Sequence, residues 1–256
     1  MGKRKRKETD EKVMDIVGHL SELRRRLLVT AVFFSASFLV GFVYVEEIYH
    51  FFVRDLEMTL ITISPGEILW VYFSLAGLAA LALTLPLLCY QIWAFVKPGL
   101  TEKERRVAIS YIPAVFLLFI AGLIFGYFLY TKSLIPFLLS LDAGMFEVMF
   151  TVEKYFSFLF HVAIPTALLF EMPIAILFLT SLGIVTPNRL KSWRKPVYFI
   201  LVIVSTIITP APDFFLPLVL SIPLYLIYEV SIALACRVHR KRTARRSLAE
   251  YEFGKS

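Results

Sequence analysis

Six long apolar runs constrain this chain more than any other feature of its sequence. Hydrophobic residues make up 58% of the 256 residues and charged residues only 18%, against about a quarter charged in a soluble domain. At ~1.5 Å per residue most of the runs can cross a hydrocarbon core of ~30 Å. The pattern predicts an all-α polytopic membrane protein with six transmembrane helices. The runs are Leu27–Val45, Ile68–Val96, Val107–Tyr130, Tyr155–Val185 (which contains the fourth helix), Pro196–Thr209 and Phe214–Ala235.

The fifth run is short and six prolines interrupt the predicted helices. Pro196–Thr209 spans only ~21 Å, so it has to thin the bilayer locally or lean on neighbouring helices. An alternative is that the fifth and sixth runs form one re-entrant hairpin. Each internal proline removes a backbone hydrogen bond and bends its helix. We therefore expect a concave, curved bundle with short fifth and sixth helices. The prolines are Pro86, Pro113, Pro165, Pro173, Pro217 and Pro223.

The distribution of basic residues predicts the orientation. Connections that carry excess Lys and Arg stay on the cytoplasmic side. Both termini are therefore expected in the cytoplasm and the chain in the cytoplasmic membrane, which agrees with an even number of spans. Of the 27 Lys and Arg, 24 lie in residues 1–26, 97–106, 186–195 and 237–256.

The N-terminal segment has an amphipathic pattern. In residues 9–26, apolar side chains recur every three or four positions, which predicts a helix with one apolar stripe. Glu22 falls on the other side, so an interfacial helix would leave it facing the cytosol. The predicted organisation is a cytoplasmic basic tail and amphipathic helix (1–26), a six-helix transmembrane domain (27–235) and a basic cytoplasmic tail (236–256).

The net charge of +7 describes a cytoplasmic face, for which anionic lipids rather than nucleic acid are the expected partner. A cleavable signal peptide is not expected at the start of the chain, because nine basic residues precede the first run. Hydrolase, metalloprotease and phosphate-loop motifs are absent from the sequence, and its four histidines and two cysteines have no metal-ligand spacing. We expect no enzyme activity, no cofactor and no metal.

Four polar residues stand in or next to apolar runs. Glu171 lies near the middle of the fourth run, where an ionised carboxylate costs at least a few kcal/mol. It either bonds a neighbouring helix or serves as a site for ions, protons or a partner's polar group. Gln91 and Glu229 lie nearer the cytoplasmic ends, where interfacial hydrogen bonds are favoured. Asp213, at the outer turn, either caps the sixth helix or belongs to an outer site.

A short basic connection follows the second run. Within residues 91–106, Glu104 stands beside Lys103, Arg105 and Arg106, and Phe95 lies upstream. The carboxylate either neutralises its neighbours or binds the arginines of a partner, since the planar guanidinium donates two charge-assisted hydrogen bonds to a carboxylate.

Six stretches, taken together and in this order, resemble the TatC family, the six-span receptor subunit of the twin-arginine protein translocase. They cover nearly the whole chain. They are HLSELRRRLL (19–28), PLLCYQIWAFVKPGLTEKERR (86–106), FEMPIAI (170–176), IVTPNRL (184–190), TPAPD (209–213) and IPLYLIYE (222–229).

The resemblance implies a function for individual residues. It implies that Glu22, Phe95 and Glu104 bind the paired arginines of a folded cargo's signal peptide. It also implies that Glu171 and Gln91 form a polar site for partner helices, with Asp213 as a possible outer-turn site. The implied partners are TatA/TatB-type single-span proteins and other copies of the chain. Alternatives are a small secondary transporter that uses Glu171 as a proton or ion site, and a lipid-binding scaffold.

Overall fold

The computed structural model describes residues 2–54, 56, 59–96, 112–140, 149–209 and 215–253. These residues are almost entirely helical, and their only β pairing is a single bridge between Ile61 and Thr151. The helices are α1 (Gly2–Val43), α2 (Val45–Val53), α3 (Pro65–Val96), α4 (Ile112–Leu129), α5 (Ile135–Ser140), α6 (Val152–Phe170), α7 (Met172–Leu182), α8 (Pro187–Ser192), α9 (Arg194–Ile208) and α10 (Phe215–Phe253).

Helix α1 runs without a break from Gly2 to Val43. The sequence predicted an amphipathic helix over residues 9–26 that leads into the first span, and in the structure the two form one continuous helix of 42 residues. The physical reason is local, because this segment contains no proline and, apart from Gly2 at its start, its only glycines, Gly18 and Gly41, are isolated among residues that support a helix.

Among the described residues, five helical segments are long and apolar enough to cross a membrane. The remaining predicted span corresponds to α9, which has 15 residues and reaches only about 23 Å. Helix α10 is longer than predicted, because no Gly or Pro interrupts the chain between Pro223 and Phe253. The five segments are Leu20–Val43, Pro65–Phe95, Ile112–Ser140, Val152–Ser181 and Pro217–Arg240.

The bundle is assembled from neighbouring pairs: α1 packs on α3, α4 on α3 and α6, and α10 on α7 and α9. Helices α4 and α6 approach each other closely. A Cβ atom on Gly122 would lie 2.6 Å from Ala167 Cα, and one on Gly126 would lie 2.6 Å from Ala163 Cα. The Gly-x-x-x-Gly spacing therefore lets two backbones approach closely, as small residues do in membrane helices.

Short elements tie the bundle together at the end where α1 finishes and α3 begins. The hydroxyl groups of Tyr127 and Tyr155 both donate to the Phe52 carbonyl in the last turn of α2, at 3.3 and 3.1 Å. Val152 N–H donates to the Ile61 carbonyl at 2.9 Å, which joins the extended segment before α3 to the start of α6. These bonds satisfy carbonyl groups at a helix end and in an extended segment.

Candidate functional site

The predicted site residue Glu22 lies at the junction of α1 and α3. Arg26, one turn further along α1, donates from Nε to Glu22 Oε1 at 3.1 Å, and its Nη2 forms a second, shorter bond to the same oxygen. Its remaining nitrogen, Nη1, donates to Gln91 Oε1 on α3 at 3.1 Å. One guanidinium thus joins the two helices, and it places Gln91 in the same cluster as Glu22.

This cluster lines a cavity of about 310 Å³ together with Arg25 and Val29. The side chains of Arg26 and Glu22 are 23% and 37% exposed, so the pair is only half withdrawn from solvent. The cavity therefore offers a carboxylate in a strongly basic surrounding. The neighbouring arginines repel any incoming cation. A guanidinium group can offset this repulsion because it forms two hydrogen bonds in one plane with the carboxylate, whereas other cations gain less from the same site.

Of the other two residues predicted for this site, the structure describes Phe95 but not Glu104. Phe95 lies half-buried in the last turn of α3, one turn beyond Gln91. Its neighbours Trp93 and Ala94 are buried against Phe178 of α7, so this end of α3 is fixed by packing. Glu104 lies outside the described residues, as does Asp213 at the outer turn.

Glu171 marks a break in the fourth predicted run, which the structure divides into α6 and α7. Its backbone has φ −76° and ψ −9°, well away from the helical ψ of about −42°. Pro173 explains the break, because it has no N–H to donate to the Leu169 carbonyl and its ring crowds that group. The helix resumes with Ala175 N–H donating to the Glu171 carbonyl at 3.1 Å.

The Glu171 side chain is directed into the helix bundle. Its Oε1 is buried and has no hydrogen-bond partner among the described residues. One turn further on, Ile174 packs with Cys89 of α3 on the cluster around Phe119 of α4. A buried carboxylate oxygen without a partner is costly in an apolar setting, so Glu171 is the polar group within the spans that most needs an explanation.

Two features of the basic end were not predicted from the sequence. Arg26 was not singled out, although Glu22 and Arg26 have the i, i+4 spacing typical of helical ion pairs. The expected hydrogen bond of Glu229 is confirmed, but its partners were not predicted. They are Arg194 Nη2, which donates to Oε2 at 2.6 Å, and the Tyr198 hydroxyl, which donates to Oε1. These partners lie 35 and 31 residues away, and no local spacing indicates them.

Two further observations delimit the site. A cavity of about 430 Å³ lies at the opposite end, between α2, α3 and the start of α6, and none of the predicted site residues lines it. Within the described part of the chain, no group of three or more His, Cys, Asp or Glu side chains has the arrangement needed to hold a metal ion.

Comparison with known proteins relates this geometry to a family. Residues 18–223 match the family model described as Sec-independent protein translocase protein (TatC). The chain is 46% identical over 233 residues to the Sec-independent protein translocase protein TatCd of Bacillus subtilis (strain 168), covering 91% of this chain and 96% of that protein. It is 37% identical over 254 residues to the TatC protein of Halalkalibacterium halodurans, covering 95% and 98%.

A solved structure has the same fold. A crystal structure of the twin-arginine translocase receptor TatC in DDM matches with a TM-score of 0.72 and 32% identity, covering 85% of this chain and 99% of that one. The family match, the relatives and the solved structure agree over most of the chain. The chain therefore belongs to the TatC family of Sec-independent protein translocase proteins.

Proposed function

We propose that this TatC-family protein is the core receptor of a twin-arginine translocase in the cytoplasmic membrane. Both termini and the Glu22 cavity face the cytoplasm, and the cavity binds the paired arginines of a folded cargo's signal peptide. The observation that carries the proposal is the carboxylate of Glu22, held where the apolar segment of α1 begins, in a basic cavity and already bonded to a guanidinium. Solved relatives named twin-arginine translocase receptor support it.

The chemistry favours arginine over lysine. A guanidinium has five N–H donors in a planar fork and can bind one carboxylate with two of them, whereas an ammonium is a compact point charge that gains less from the same geometry. Two carboxylates, Glu22 and Glu104, would receive one arginine each. Phe95 would contribute an apolar or aromatic face beside them, on which a guanidinium can stack.

The experiment measures the affinity of a twin-arginine signal peptide and its twin-lysine counterpart for the purified protein in nanodiscs. We expect the twin-lysine peptide, and the Glu22→Gln and Glu104→Gln variants with the twin-arginine peptide, each to bind roughly tenfold or more weakly, since a charge-assisted hydrogen bond contributes about 1.5–3 kcal/mol. Glu47→Gln is the matched control, because it removes an exposed carboxylate at the opposite end. Equal affinity for the two peptides, or equal loss in the control, contradicts the proposal.

The second part of the proposal concerns partners within the membrane. Glu171 serves as the docking point for a polar side chain of a TatA/TatB-type single-span protein. Its support is the buried Oε1, which has no hydrogen-bond partner among the described residues. A partner that donates to this oxygen satisfies a group whose unpaired burial is costly in an apolar setting, and hydrogen bonds between membrane helices commonly hold such pairs together.

A further inference from the structure

The carboxylate proposed to bind cargo is already occupied by a guanidinium from the same chain. Arg26 presents its Nε and Nη2 edge to Glu22 Oε1, and an incoming arginine would offer a carboxylate the same kind of edge. Building on the proposed signal-peptide function, we infer that Arg26 is an internal surrogate for a cargo arginine, and that the signal peptide binds by displacing it from Glu22.

The surrogate is held in place from a second helix. Gln91 Oε1 on α3 accepts from Arg26 Nη1 at 3.1 Å, so the guanidinium is fixed in its plane while its other edge faces Glu22. The backbone of the same residue is also engaged, since the Thr30 hydroxyl donates to the Arg26 carbonyl at 3.0 Å. The hydrogen bond to Gln91 reduces the freedom of the Arg26 side chain, which makes it a more effective competitor for a neighbouring carboxylate.

The expected strength of this competition is modest. Glu22 precedes Arg26 by four residues on one helix, the favourable order for an ion pair, and both side chains remain partly exposed. Pairs of this kind change an equilibrium constant by about two- to fivefold. A ligand therefore has to bind Glu22 more strongly than Arg26 does in order to displace it, but the site stays accessible. A weak cation fails to displace it, whereas a signal peptide with two arginines and an apolar segment succeeds.

Two variants separate this competition from simple charge repulsion. Arg25 lines the same cavity and carries the same charge, but among the described residues it forms no ion pair with Glu22. Arg25→Gln therefore removes a positive charge without releasing the carboxylate. Arg26→Lys keeps the charge but loses the planar fork, so it weakens the competitor without altering electrostatic repulsion.

The test is the dissociation constant of a labelled twin-arginine signal peptide, measured by fluorescence anisotropy with the full-length protein in nanodiscs. We expect binding about two- to fivefold tighter in Arg26→Gln and about twofold tighter in Arg26→Lys, and a smaller change in Arg25→Gln. Circular dichroism and elution volume check that each variant keeps its fold. If Arg26→Gln does not fold, the Arg26→Lys result alone decides.

The outcomes distinguish this inference from the proposed function on which it rests. If the wild-type protein does not bind the peptide, or binds it independently of Glu22, the proposed function fails. If binding depends on Glu22 but Arg26→Lys is no tighter than wild type, or Arg26→Gln tightens binding no more than Arg25→Gln, the surrogate role of Arg26 is overturned.

Discussion

Two carboxylates within the apolar helices, Glu229 and Glu171, differ in their hydrogen bonding. Glu229 on α10 has both oxygens hydrogen-bonded, one to Arg194 and one to Tyr198. Glu171 has a buried oxygen with no hydrogen-bond partner among the described residues. The cost of leaving a buried acceptor unpaired is about 1–3 kcal/mol. Glu229 therefore has a structural role, joining α9 to α10, whereas the buried Glu171 oxygen has unused hydrogen-bonding capacity among the described residues.

Photocrosslinking from a neighbouring position tests the proposed partner site, because the probe itself leaves Glu171 in place. A photoreactive residue at Leu168, 50% exposed and one turn before Glu171, is expected to crosslink to a co-expressed single-span partner. Glu171→Ala is expected to reduce that crosslink roughly fivefold, the effect of a hydrogen bond of about 1 kcal/mol.

The matched control for this experiment is a probe at Leu117 on α4, which is 65% exposed. The pairing of Gly122 with Ala167 and of Gly126 with Ala163 places Leu168 level with residue 121, so the two probes lie within about one helical turn, roughly 6 Å, of each other in depth. Equal crosslinking from Leu117, or a crosslink from Leu168 that Glu171→Ala leaves intact, would contradict the partner site.

Among the helices, the contact between α4 and α6 depends on two glycines. A Cβ atom at position 126 would meet Ala163 Cα at 2.6 Å and Ala163 Cβ at 3.1 Å. We expect Gly126→Ala to push the helices apart and to lower the free energy of unfolding by about 1–3 kcal/mol, the usual cost of overpacking. The measurement is the midpoint of thermal unfolding in detergent, followed by circular dichroism.

Gly77→Ala on α3 is the control for this prediction. A Cβ atom there meets only Phe38 Cε2, at 4.0 Å, which is an ordinary van der Waals contact. Alanine is favoured over glycine within a helix by roughly 0.5–1 kcal/mol, so this variant should be as stable as wild type or slightly more stable. If Gly126→Ala proves as stable as Gly77→Ala, the α4–α6 contact tolerates a methyl group and the prediction is wrong.

The sequence predicted the helices better than it predicted how they begin, break and meet. The long apolar runs were recognisable, because the length and hydrophobicity of a membrane-spanning helix can be read from a continuous stretch of sequence. The break at Glu171 follows from Pro173, yet proline alone does not distinguish a bend from a break, because α3 continues through Pro86. The cluster of Arg26, Glu22 and Gln91 joins residues 65 positions apart, and only tertiary packing determines such a contact.

At the scale of the whole molecule, the surface is apolar along the spans and basic at one end. Large apolar side chains stand exposed along the spans, among them Leu27, Val32 and Phe199, each with more than half of its surface exposed. In a soluble monomer such extensive exposure is rare, whereas lipid tails cover it in a bilayer. The basic side chains collect at the end that carries Arg24, Arg189 and Arg237. The positive-inside rule predicts that this end faces the cytoplasm.

Cysteine labelling in intact cells tests this orientation and the number of spans together. In a background without Cys89 and Cys236, both free thiols, single cysteines replace Ile63, Asn188 or Asp213. Ile63 is 74% exposed at the end opposite the basic residues, and Asn188 is exposed on α8. Six spans predict that a membrane-impermeant maleimide labels Ile63→Cys and Asp213→Cys from outside, and Asn188→Cys only after permeabilisation. A re-entrant hairpin instead leaves Asp213→Cys unlabelled from outside, and the inverted orientation labels Asn188→Cys alone.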